Sequence, residues 1–456
     1  MSVIGTGEAG GNAHTGSGRS DGTGARQLVA GGSVLAVALV VTNAGNYILN
    51  LLLGRWLSPA EFADASLMVT LMLTIASISL CLELVTARFV GIRDAAGLVG
   101  DSERLARSLR HVALAVGIAI AAVLAVGSPW WRDIFHTGSA WPFVILAGGI
   151  PFYLQCSVGR GMLQGRLRFV PLAATFLVEM AVRLSVGSGL VLLGMGVDGA
   201  TAGLALSLVA AWVTVTLFRP GVSGGGVPVD AGVESPADLT GVRAYAGFVS
   251  VLLVGQMVIN NSDVLIAKAS LVPFDAGLYS AVALIGRAVF FLSWSVATVV
   301  FPVVALRHAK GETGHRVLAG GILAVLAIGA SCVVGALLFG GSVLGVVLGP
   351  EYSGLSGSLS VYALATTLFA VACLIASHHL ATGRIRESWV ILAGAGLQVV
   401  LLLLWHNSIA QLIGAQLVAM SFLLAAVVIS HFAPYHGSAF GQSVADGPTS
   451  DTTKVD

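Results

Sequence analysis

Two arginines stand where an unbalanced charge is costly. Arg183 lies near the middle of an apolar run at about 170–193, and Arg287 near the middle of another at about 276–304. At the centre of a bilayer an arginine costs at least ~2.5–3.5 kcal/mol, so each must face water, a ligand or a counter-charge. Guanidinium stays ionised and grips phosphate oxygens through paired N–H donors, so the two could clamp a phosphate or pyrophosphate. Glu179 precedes Arg183 by one helical turn and could instead neutralise it. Arg287 has no acid on its own helix face. Asp263 could exchange a proton or a sodium ion in a low-dielectric cavity; equally, it could pair with Lys268 or with a basic residue of another helix. Lys268 is poorly aligned with Asp263 and is expected to snorkel outward as an interfacial anchor.

Polar but uncharged residues accompany these. Asn43, Asn46 and Asn50 share one helix face, which suits either a hydrophilic cavity for sugars or hydrogen bonds between helices. Asn46 has a counterpart, Asn260, and both are candidate cavity residues. Glu83 and Arg88 read as an ion pair near a helix end. His111, His378, His379 and His406 show no spacing for a metal or a nucleophile relay. The four cysteines (Cys81, Cys156, Cys332, Cys373) all fall in apolar runs and read as buried thiols. No catalytic residue, metal or cofactor is expected, and the chain does not read as an enzyme.

The elements that position these residues must be membrane helices. Only 10% of residues are charged and 56% are hydrophobic, with a mean hydropathy of +0.92. Soluble domains carry roughly 25% charged residues. Twelve apolar runs of membrane-crossing length can be placed, at about 28–53, 65–87, 109–127, 140–163, 170–193, 197–218, 244–270, 276–304, 316–340, 357–381, 388–405 and 409–432. They are continuous rather than alternating, so helices and not a barrel follow. Of the 23 Lys and Arg residues, Arg55, Arg132 and Lys268 fall at one side and Arg183 and Arg287 within the runs; the rest gather at the other side. The positive-inside bias therefore predicts that both termini are cytoplasmic. The net charge of +1 gives no reason to expect a nucleic-acid partner.

The chain also repeats itself. At an offset of 214, Pro59 meets Pro273, Glu61 meets Asp275, Ser66 meets Ser280 and Asn46 meets Asn260. G-R-L-R at Gly165–Arg168 is echoed by G-R-I-R at Gly383–Arg386; both read as orientation signals and short-loop contacts. Six helices per half is an even number, so the halves enter from the same side as two parallel lobes. The expected organisation is a tail over 1–26, an N-lobe over 27–219, a linker over 220–242, a C-lobe over 243–432 and a second tail over 433–456. The longest loop on the outer side is expected at about Gly127–Ala140, too short for an extramembrane catalytic domain.

The segments Asn46–Phe62 and Asp263–Ala281, with Phe301-Pro302 and L-G-P-E-Y at Leu348–Tyr352, resemble the multidrug/oligosaccharidyl-lipid/polysaccharide (MOP) flippase superfamily. Within it, the chain is most similar to bacterial polysaccharide transporters that flip O-antigen and exopolysaccharide repeat units. The resemblance implies a V-shaped pair of six-helix bundles around a central cationic cavity in the cytoplasmic membrane. The implied cargo is an undecaprenyl-pyrophosphate-linked oligosaccharide, with its lipid tail left in the bilayer near helices one and eight. The implied partners are membrane lipid, a polysaccharide polymerase and glycosyltransferases. A cation-coupled drug exporter of the same fold is the nearest alternative, and a non-transporting scaffold of a polysaccharide assembly complex ranks below it.

Overall fold

The computed structural model describes residues 20–218, 239–293, 296, 315–381 and 386–432. Twelve long helices account for most of these: α1 Ser20–Trp56, α2 Pro59–Ala95, α3 Val99–Val126, α4 Trp141–Gly165, α5 Phe169–Leu190, α6 Gly196–Leu217, α7 Leu239–Ser270, α8 Pro273–Gly286, α9 His315–Val347, α10 Ser356–Ala381, α11 Arg386–Leu404 and α12 Ile409–Phe432. No strand occurs among the described residues. A short helix, Ser128–Ile134, and a 3-10 turn, Pro350–Leu355, fill two of the connections. Ten stretches are long and apolar enough to cross a membrane; one of them, Phe169–Leu217, is α5 and α6 together, and the shorter Ser388–Leu404 is most of α11. Counted this way, the expected twelve spans are present in an all-helical membrane protein.

Each proline motif starts a helix. Ser58 caps α2 in a reciprocal box with Glu61, and Pro59 occupies the first turn, where its missing N–H costs nothing. Pro273 starts α8 in the same way, but Val272 supplies no side-chain cap. Between α5 and α6 the chain reverses at Gly194 and Gly196, both at positive φ. Two boundaries depart from expectation: α1 begins at Ser20, inside the expected tail, and α7 at Leu239, inside the expected linker. Most of that linker, the C-terminal tail, Phe301, Pro302 and residues 383–385 of the second G-R-x-R lie outside the described residues. The first G-R-x-R does make the short-loop contacts expected of it. Arg166 bridges Asp94 and Glu103 at 2.8 Å each, tying α4 to α2 and α3.

Helices α1–α6 pack among themselves, as do α7–α12; α2 carries the main contact between lobes, against α7 and α8. At the end of the bundle carrying the proline motifs, one buried cluster spans both lobes. Leu53, Leu57 and Phe62 meet Ala267, Leu271, Tyr279 and Leu348 there. The duplicated motifs also touch. A Cβ on Gly277, at the start of the second turn of α8, would lie 2.0 Å from the Pro59 carbonyl oxygen. Only glycine allows that approach.

Candidate functional site

A cavity of about 500 Å³ lies between the lobes, walled by α1, α2, α5, α6, α7 and α8 and reaching Leu292 beyond α8. Arg183 and Arg287 both line it, one from each lobe, as do Asn43, Asn46 and Asn50. Much of the remaining wall is apolar, including Met68, Met72, Leu73, Phe291 and Leu292. Asn260 is not part of this wall; its amide donates to the Gln256 carbonyl one turn back, at 2.9 Å. Asp263 and Glu179 also stand behind the wall, engaged with the two arginines.

On the N-lobe side, Glu179 lies between two arginines. One carboxylate oxygen accepts from Arg183; the other accepts from Arg160 of α4 at 2.7 Å. Arg183 also donates to Asn46 Oδ1 at 3.1 Å and Ser207 Oγ at 3.2 Å, which aims it towards α1. Arg160 donates to Thr175 at 2.9 Å and stacks 3.9 Å from the centre of the Phe176 ring. The run boundaries put Arg160 among the charges at the helix ends, yet it is only 3% exposed. The pairing of Glu179 with Arg183 was legible from i,i+4 spacing; its sharing with Arg160 was not. Glu83 on α2 adds a fourth charge that acts on both Arg160 and Glu179.

The C-lobe arrangement is closed on itself. Asp263 is fully buried, and its Oδ1 accepts from Arg287 at 2.7 Å. Its Oδ2 accepts from Tyr362 at 2.8 Å and from Tyr279 at 3.0 Å, while Arg287 also donates to Tyr362 at 3.2 Å. Arg287 thus has an acid after all, supplied by α7 rather than by its own helix. Asp263 pairs with that arginine and not with Lys268. Tyr279 falls within the Asp263–Ala281 segment, but its role as a hydrogen-bond donor to the carboxylate carried no signal in the sequence. Both lining arginines are ion-paired, so the central cavity is less cationic than the resemblance implies.

Lys268 departs furthest from expectation. It is 1% exposed, its Nζ lies 2.6 Å from Asp64 Oδ1, and it does not snorkel outward.

Removing one partner of a buried pair costs about 3–5 kcal/mol, because the remaining charge is stranded. Glu179→Leu strands both Arg160 and Arg183, so a clear drop in the thermal unfolding midpoint of the purified protein is expected. An unchanged midpoint would mean that the arginines find other partners.

These features define a multi-pass, two-lobed helical membrane protein with a central cavity between the lobes. Solved structures identify the fold as that of the MOP superfamily transporters. A multidrug resistance MATE transporter of that superfamily in an inward-facing conformation is 15% identical, with a TM-score of 0.69, covering 84% of this chain and 94% of its own. The outward-facing conformation of a multidrug resistance MATE family transporter gives a TM-score of 0.59 at 14% identity, over 87% and 94%. A MOP superfamily transporter from Pyrococcus furiosus, described as having a binding pocket of reverse polarity that suggests a different function, matches at 0.59 and 15% identity, over 87% and 94%. No family model and no curated protein sequence matches the chain.

Proposed function

We propose that this protein is a flippase that moves an undecaprenyl-pyrophosphate-linked oligosaccharide across the bacterial cytoplasmic membrane for surface polysaccharide synthesis, by alternating access. The observation that carries this reading is the cavity wall: one arginine from each lobe beside a stripe of asparagines. Arg183 and Arg287 engage the pyrophosphate, and Asn46, with Asn43 and Asn50, meets the sugars. Asp263 and Glu179 orient the arginines and are where an ion could couple to the cycle. The asparagines suit hydroxyl-rich cargo, while the apolar wall accommodates the first part of a lipid. The proposed lobes are 27–219 and 243–432, joined through 220–242, with both termini cytoplasmic and with polymerase and glycosyltransferases as functional partners.

In this orientation the proline-motif end faces outward. Its cross-lobe cluster closes that side, in keeping with a higher structural likeness to an inward-facing transporter than to an outward-facing one.

The test is reconstitution into vesicles carrying a fluorescent undecaprenyl-diphosphate oligosaccharide, with accessibility to an added lectin or quencher as the readout. Protein-dependent crossing of the labelled lipid is expected, and none would be expected of a lipid lacking the diphosphate. The apolar lining of Met68, Met72 and Phe291 favours a second reading, export of amphipathic drugs. Extrusion of a cationic dye with no movement of the labelled lipid would establish that reading instead.

A further inference from the structure

The ion pair between Asp64 and Lys268 belongs to neither arginine cluster. Asp64 sits in the second turn of α2 and Lys268 in the last turn of α7, so the pair joins the N-lobe to the C-lobe. The other buried ion pairs described above each lie within one lobe. Gly138 N–H donates to Asp64 Oδ2 at 3.0 Å, and Lys268 Nζ donates to the His136 carbonyl at 3.5 Å. The loop between the short helix Ser128–Ile134 and α4 therefore roofs the pair. Repeat symmetry did not create it: at the offset of 214, Asp64 corresponds to Leu278 and Lys268 to Gly54. One turn along α2 from Asp64, Met68 lines the cavity, as do Ala65 and Ser66.

We propose that Asp64 and Lys268 form the gate that holds the cavity shut at the proline-motif end, and that the pair separates in each transport cycle to open the cavity on that side. Burial makes the interaction suitable for this role. In water an exposed ion pair contributes little, but a buried one cannot lose a partner without stranding a charge. The contact therefore resists partial opening. Once the lobes part, water reaches both ends and solvates them, so the open state carries no such penalty. The surrounding cross-lobe cluster is apolar and undirected, and small sliding motions would leave it largely intact. The ion pair adds a defined break point. This gate does not depend on what the cavity carries.

The experiment uses the full chain in right-side-out membrane vesicles. Ser66→Cys places a thiol in the cavity wall just beneath the gate, and a membrane-impermeant maleimide reports access from the proline-motif side. The same protein without Ser66→Cys corrects for the native cysteines. In the otherwise unaltered protein, labelling should be slow. Lys268→Met and Asp64→Ala should each accelerate it about tenfold, by favouring the state in which that end is open. The exchanged pair, Asp64→Lys with Lys268→Asp, should return labelling towards the original rate. Acceleration in the single variants with recovery in the exchanged pair establishes the gate. If the single variants fail to reach the membrane, the milder Asp64→Asn keeps the shape of the side chain, removes the charge that pairs with Lys268 and gives the same readout. Labelling that stays slow in the single variants, or in Asp64→Asn where it alone folds, overturns the proposal. The readout needs no cargo, so its failure is distinct from failure of the flippase reading.

Discussion

Replacing Arg287 by alanine is expected to abolish movement of the labelled lipid and also to lower stability. Both effects follow from the C-lobe cluster. Arg287 lines the cavity and is the cationic partner of the fully buried Asp263. Deleting it removes one arm of the proposed clamp and leaves a carboxylate with only the two tyrosines, at a cost of about 3–5 kcal/mol. Transport loss alone would therefore be ambiguous. The variant Arg287→Ala/Asp263→Ala resolves the ambiguity, because it strands no charge and should recover most of the thermal stability. If the double variant is stable but inactive while Asp263→Asn alone still transports, Arg287 acts on the cargo. If it regains transport, Arg287 serves only to neutralise Asp263, and the clamp idea fails. The same logic applies on the N-lobe side, where Arg160 would remain to balance Glu179 after Arg183→Ala; that variant should lose transport with a smaller loss of stability.

Gly277→Val is expected to stop the cycle from the other direction. Its Cβ would stand 2.0 Å from the Pro59 carbonyl oxygen, backbone against backbone, where no rotamer change relieves the clash. Either α8 withdraws from α2 or the protein fails to assemble. Withdrawal would part the lobes at the proline-motif end and raise maleimide labelling of Ser66→Cys from that side. Gly277→Ala carries the same Cβ without the added bulk and should show a milder form of the same shift. Labelling and transport that stay normal in both variants would mean that this contact is not needed to close the cavity.

Composition and run length alone determined that this is a helical membrane protein with room for twelve spans. That information is local: about 20 apolar residues satisfy a bilayer wherever they sit in the chain. The repeat around Pro59 and Pro273 was equally legible, because helix starts are written in short capping and proline patterns. Arg183 and Arg287 could be singled out by depth, since a charge in an apolar run is conspicuous whatever its partner. Partners were less accessible. Glu179 lay within one turn of Arg183 and could be read from spacing, whereas Arg160, Tyr279 and Tyr362 reach their carboxylates across helix interfaces. Asn260 shows the limit of symmetry: the repeat aligns it with Asn46, but helix rotation decides which face meets the cavity. The Lys268 and Asp64 pair shows that limit most clearly. A lysine near a helix end ordinarily reaches for water, and its own helix holds no well-aligned acid. Only the packing of α7 against α2 brings Asp64 within 2.6 Å and buries the charge between the lobes. Helix existence and depth are properties of a segment, but charge pairing belongs to the interface, and that is decided when the lobes pack.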